Sequence, residues 1–218
     1  MPRVVPISSG DHLHQGKYSL AMSMQTDEEL MVAVREGRTG QMEILFGRYR
    51  QSLYEFFSRL TGNRVASEDL VQEVFVRILK YRGTYRETNR FVTWMYQIGR
   101  NARADYLRKH RLVPAEVTAI ARSEHDITPS RQLEENEEMA LLHCALMQMS
   151  ESNRELLILV RYQEMKYVDI AELLGIEAGM VKSRVHRAMK ELREVFLNLR
   201  SNPSSCGATK SETISPNT

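Results

Sequence analysis

From residue 26 onward, apolar side chains return every three or four positions almost without a break. Leu30, Met31 and Val34 open the series, and Ile44, Leu45, Tyr49, Leu53, Phe56, Phe57 and Leu60 continue it. That spacing lines one face of a helix. Thr26, with Glu29 three residues later, has the pattern of a reciprocal N-terminal cap. "TGNR" at 61–64 reads as a turn. A helix opening at Ala66 or Ser67 then runs to about Lys80, burying Leu70, Val71, Val74, Phe75 and Ile78. Residues 81–90, "YRGTYRETNR", read as a loop, and a long helix follows from Phe91 to about His110. Val113-Pro114 ends it, because proline disfavours helix at the residue before it. A second helical block comprises 133–149, 151–163, 167–174 and 178–197.

Strand-like alternation persists nowhere, and no period of about 20–50 residues marks a repeat array. The expected fold is all-α: two small helical domains, 26–112 and 134–199, joined by a flexible acidic linker, 113–133. The arm 1–25 and the tail 200–218 are polar and expected to be disordered. Fully extended, the roughly twenty linker residues reach about 70 Å, the length of about two turns of DNA.

Charge changes this picture from a plain bundle to an organised one. The net charge of +2 over 218 residues conceals three blocks. Between Tyr96 and Leu112, Arg100, Arg103, Arg108, Lys109 and Arg111 face the single acid Asp105, a local charge of +4. From Val113 to Glu138 seven acids outweigh Arg122 and Arg131, giving −5. Lys182, Arg184, Arg187, Lys190 and Arg193 then stand against Glu191 alone, again +4. Segregation of this kind marks interaction surfaces. Two cysteines, Cys144 and Cys206, are too few for a disulfide framework and lack metal-ligand spacing, so a reducing compartment is expected. No apolar run approaches the length of a membrane span and the first 25 residues lack a secretory apolar core, so a soluble, cytoplasmic protein without membrane insertion is expected.

Three helices carry the candidate chemistry. On the last, Val181, Val185, Ala188, Met189, Leu192 and Phe196 share one face, while Lys182, His186, Lys190 and Arg193 share the other with Arg187 beside them. The short helix "YVDIAELL" precedes it, and Gly175 supplies the left-handed residue between them. Helix, glycine turn and cationic second helix form a helix-turn-helix pattern, whose second helix enters a major groove. The helix from Phe91 gathers Phe91, Trp94, Met95, Ile98, Ala102 and Tyr106 on one face and Arg100, Arg103, Arg108 and Arg111 on the other. The loop before it interleaves Tyr81 and Tyr85 with Arg82, Arg86 and Arg90, a composition suited to unstacked bases. Trp94 and Phe91 read as core, and Tyr85, in a polar loop, as the ring offered to a base. Asn101 serves either a base edge or a neighbouring backbone group. On "SEDLVQEVFVRILK", Asp69, Gln72, Glu73 and Val76 oppose the buried face. A valine among acids suits either a protein partner or an ordinary solvated face, and repels DNA.

These three segments, "SEDLVQEVFVRILK", "FVTWMYQIGRNARADYLRKHR" and "YVDIAELLGIEAGMVKSRVHRAMKELR", resemble in order and spacing the blocks of extracytoplasmic-function sigma factors of bacterial RNA polymerase. The resemblance covers about residues 26–197. It implies that Asp69, Gln72, Glu73 and Val76 dock on the clamp helices of core polymerase. It implies that Tyr85, Arg86, Asn89 and Asn101, with Arg100, Arg103 and Arg108 toward phosphates, recognise and open the −10 promoter element. It assigns the −35 element to Lys182, Ser183, Arg184, His186, Arg187 and Lys190, and the polymerase cleft to the acidic linker. Met180 departs from the threonine common at that position. The implied partners are core RNA polymerase, promoter DNA and an anti-sigma factor, with no small-molecule substrate.

A conventional helix-turn-helix regulator is the alternative, and it leaves 65–112 without a task. The sequence holds no phosphate-binding glycine loop, no zinc-ligand spacing and no nucleophile with a base, so no enzymatic activity, cofactor or metal is expected.

Overall fold

The computed structural model describes residues 25–111 and 131–202; nearly all of the arm, most of the linker and the tail from residue 203 lie outside the described residues, and with them the expectations made there, while Arg200 and Ser201, expected in the disordered tail, continue the last helix. Among the described residues every regular element is helical. The first half holds α1 (Asp27–Arg35), α2 (Met42–Thr61), α3 (Arg64–Tyr81) and α4 (Phe91–Arg111); the second holds α5 (Arg131–Gln148), α6 (Glu151–Arg161), α7 (Tyr167–Leu174) and α8 (Ala178–Ser201).

Local chemistry accounts for the helix ends. Thr26 and Glu29 close the reciprocal cap of α1. Glu28, one residue earlier, reaches across to accept from the Phe91 amide at 3.0 Å, so α1 caps α4. α2 stops at Gly62, whose φ of 66° suits glycine. α3 opens at Arg64, earlier than the sequence pattern predicts. The cause is Asn63, whose side chain accepts from the Ala66 amide at 3.1 Å and supplies a cap ahead of the first apolar position. In the second half Gly175, at φ 63°, ends α7 where expected. Ser150 precedes α6 without a side-chain bond into that helix; its amide and hydroxyl donate instead to Glu191 of α8, at 2.8 and 3.1 Å. Asn153 donates to the same carboxylate. Glu191, one of two acids on the cationic helix, thus caps its neighbour, where a negative charge also suits the helix dipole.

α2, α3 and α4 pack around Phe56, Phe57, Val74, Phe91 and Met95, all fully buried. Gly99 lets α4 approach, since a Cβ there would lie 3.3 Å from Phe57 Cζ and 3.7 Å from Val74 Cγ2. In the second half Leu157, Ile158, Leu159, Ile170, Val181 and Ala188 fill the space among α6, α7 and α8.

The two halves are not held apart at the reach of their linker. They pack on each other, and one apolar cluster runs from Phe56, Phe57 and Tyr96 into Met149, Leu156 and Leu157. Tyr96 Oη donates to Gln163 Oε1 at 2.5 Å, and Gln163 Nε2 donates to the Ser52 carbonyl. The Arg59 guanidinium lies 4.1 Å from the Tyr162 ring centre. Cys144 on α5 is disulfide-bonded, which the expectation of a reducing compartment does not anticipate.

Candidate polymerase and nucleic-acid interfaces

α8 carries the most open of the three faces. Val181, Val185 and Ala188 turn inward, and Lys182, Ser183, His186, Arg187 and Lys190 are exposed, with Arg184 half-buried. Ser183 is less available than the sequence implies, because its hydroxyl donates to the Met180 carbonyl one turn back. Met189, expected on the inner face, is 38% exposed. The shape follows from the Gly175 turn: Ile176 N bonds Ala171 O at 2.9 Å, which sets α7 behind α8 and leaves the cations outward.

The α3 face also stands open. Asp69, Gln72 and Val76 are exposed, and Glu73, half-exposed, accepts from Arg77 at 2.6 Å. Val76 is 59% exposed. Two more apolar side chains extend the patch, and the sequence reading missed both. Val65 lies four residues before Asp69, on the same stripe, and is 70% exposed; its spacing was the available signal. Phe46 of α2 is 40% exposed and meets Phe75 edge-on at 4.8 Å. That contact joins separate helices and leaves no local pattern.

The loop and α4 differ from expectation. Tyr85 is 1% exposed and packs against Phe91 and Trp94. Burial and nearby acids push its phenol up to about 12, and its hydroxyl donates to the Asn89 carbonyl at 2.9 Å. It is therefore core, because the loop folds back over the first turn of α4. Arg35 holds that fold, donating to the Tyr85 carbonyl at 3.2 Å and to Glu87 at 2.6 Å. Arg86 is exposed, and Asn89 is half-buried, its side-chain oxygen accepting from Thr88. Asn101 is exposed, with Gln97 donating to it.

Arg100 and Arg103, expected on an open cationic face, are engaged by the second half. Arg100 Nε donates to Glu155 at 2.8 Å and its Nη1 to the Leu173 carbonyl at 2.7 Å. Arg103 donates to Glu151, and Arg90 to Asp169. Arg108 remains exposed beside Asp105, whose carboxyl Arg77 holds below the usual range. Arg184 and Arg187 line a cleft of about 390 Å³ with Arg100 and Glu155, so cations from α4 and α8 converge where the halves meet.

Comparison with known proteins matches residues 45–113 to sigma-70 region 2 and residues 139–192 to sigma-70 region 4. The RNA polymerase sigma factor CarQ of Myxococcus xanthus is 32% identical over 76% of this chain and 95% of its own length. The extracytoplasmic-function RNA polymerase sigma factor SigW of Bacillus subtilis is 26% identical over 76% of this chain and 94% of its own.

The chain belongs to the extracytoplasmic-function sigma factors.

Among solved structures, CnrH in complex with the cytosolic domain of CnrY matches 82% of this sigma factor and 99% of that chain, with a TM-score of 0.62 and 20% identity. The sigma factor RpoE of Bartonella quintana, in complex with the anti-sigma factor NepR, matches 71% of this chain and 96% of its own, with a TM-score of 0.55 and 23% identity. Both share the fold. The region 2 match contains α3 and α4, and the region 4 match contains α6, α7 and most of α8, so the three faces lie on the two family regions. Among the described residues no cluster of acids, histidines and cysteines suits a metal, and no helix is long and apolar enough to cross a membrane.

Proposed function

We propose that this sigma factor binds core RNA polymerase in the cytoplasm, carries it to specific promoters and helps open the duplex, with no covalent chemistry of its own. The observation that carries the reading is the outward row Lys182, His186, Arg187 and Lys190 on the second helix of the helix-turn-helix, within the region 4 match. Such a helix reads the −35 element in the major groove, while its cations replace counterions along the phosphates. The α3 stripe, valines flanked by carboxylates, suits a protein partner with basic and apolar side chains, which is the role proposed for core polymerase. Arg86, Asn89, Asn101 and Arg108 are accessible for the −10 element, and Arg100 and Arg103 join them once released from α6. Two weak modules fixed on one polymerase gain by effective concentration what neither achieves alone. An anti-sigma factor is the further proposed partner, acting on the same surfaces.

A conventional helix-turn-helix regulator accounts for α7 and α8 but gives no task to the region 2 match. Run-off transcription with purified core polymerase and a promoter library tests the reading. Expected is initiation from a restricted set of promoters that share −35 and −10 elements at fixed spacing. Transcripts no more numerous than core polymerase makes alone would overturn it.

A further inference from the structure

The closed packing of the halves has a specific chemistry: the cations of α4 that nucleic acid needs are already bound to acids. Glu155, 14% exposed at its side chain, takes Arg100. Asp169, 11% exposed, takes Arg90, and Glu151 takes Arg103, itself 11% exposed. Each carboxylate belongs to α6 or α7, and each arginine to α4 or the residue before it. We propose that α6 and α7 form an internal ligand for region 2, their carboxylates standing where nucleic-acid phosphates would stand, so that in the free sigma factor Arg100 and Arg103, with Arg90 before them, are occupied from within while the rest of the −10 surface stays accessible.

Three observations separate this contact from ordinary domain packing. The occlusion is selective: the α3 stripe, the outer face of α8 and, on α4 itself, Asn101 and Arg108 stay exposed, while Arg100 and Arg103 are half-buried. The fit is also incomplete. Arg103 Nε and Arg154 Nε are buried without a hydrogen-bond partner, a cost a surface shaped only for this contact avoids. Finally, like charges are pressed together, since burial and the neighbouring Arg103 both push the Arg154 guanidinium down. The closed form is thus held by apolar contact and ion pairs but opposed from within. Polymerase gains access through the open α3 stripe, and separating the halves then releases Arg100, Arg103 and Arg90 together.

The inference rests on the sigma-factor reading for its meaning, but its test needs no polymerase. The full-length double variant Glu155→Gln and Asp169→Asn keeps the shape of both side chains and removes their charge. Its control, Glu137→Gln and Glu138→Gln, removes equal charge from exposed positions of α5. Affinity for a labelled single-stranded DNA of about 20 nucleotides and mixed sequence is measured for each, together with the radius of gyration by small-angle scattering. If about a tenth of the wild-type molecules are open, opening raises apparent affinity about tenfold. Expected is a gain of that order, with a larger radius, in the interface variant only. Equal affinities in the two variants, or an unchanged radius in the interface variant, would overturn the inference. Run-off transcription by the same interface variant reports separately on the sigma-factor reading: loss of promoter-directed initiation by wild type and variant alike sinks that reading, whatever the oligonucleotide binding does.

Discussion

At the scale of single residues, one side chain often serves two elements. Glu191 lowers the positive charge of α8 and at the same time caps α6 through Ser150 and Asn153. Its replacement by glutamine removes a charged acceptor from a helix N-terminus, a loss of about 1 kcal/mol. Thermal unfolding of Glu191→Gln is expected to begin several degrees below wild type, and an unchanged melting curve would remove this role. Lys182 is a simpler case, exposed and without an ion-pair partner among the described residues. In the complex with core polymerase, Lys182→Ala should weaken binding about equally across promoters and lower the salt slope by about one. A change confined to one base position would make Lys182 a reader of sequence instead of a phosphate contact.

Elements are where the sequence is most legible. Hydrophobic spacing locates most of the described helices within a few residues, because each buries one side; it does not show the break between Arg35 and Met42, and α4 and α6 are capped from far along the chain, by Glu28 and Glu191. The start of α3 moves only because Asn63 caps ahead of the apolar run. Its outer stripe is equally readable once Val65 is added, and that suggests a direct measurement. Val65→Asp and Val76→Asp, singly or together, should weaken capture of core polymerase by tenfold or more, about 1.4 kcal/mol, with helical content unchanged. Retained capture by the double variant would move the docking site elsewhere. What the pattern conceals is long-range. Tyr85 reads as an exposed ring because its sequence neighbours are polar, yet Phe91 and Trp94 enclose it from the next helix. Arg100 and Arg103 read as free because their acids, Glu155 and Glu151, lie about fifty residues away in the chain. Periodicity finds a face; it carries no information about which distant segment covers that face.

The whole molecule brings together surfaces that the linear chain keeps apart. Cations from α4 and α8 border one cleft, and the carboxylates between them, on α6 and α7, mediate the contact. Salt should therefore act in two directions on the free protein: it loosens the ion pairs between halves and weakens nucleic-acid binding to whatever they release. The N-terminal helix has a different consequence. Glu28 and Arg35 of α1 clasp both ends of the loop 85–90, yet α1 lies before the region 2 match, which begins at residue 45. A graft of promoter preference from one relative to another, cut at that boundary, would transplant the loop and leave behind the fingers that shape it. Chimeras starting at residue 26 should transfer the donor's −10 preference in run-off assays, whereas those starting at residue 45 should transfer it poorly unless the recipient already carries an acid and an arginine at the two clasping positions.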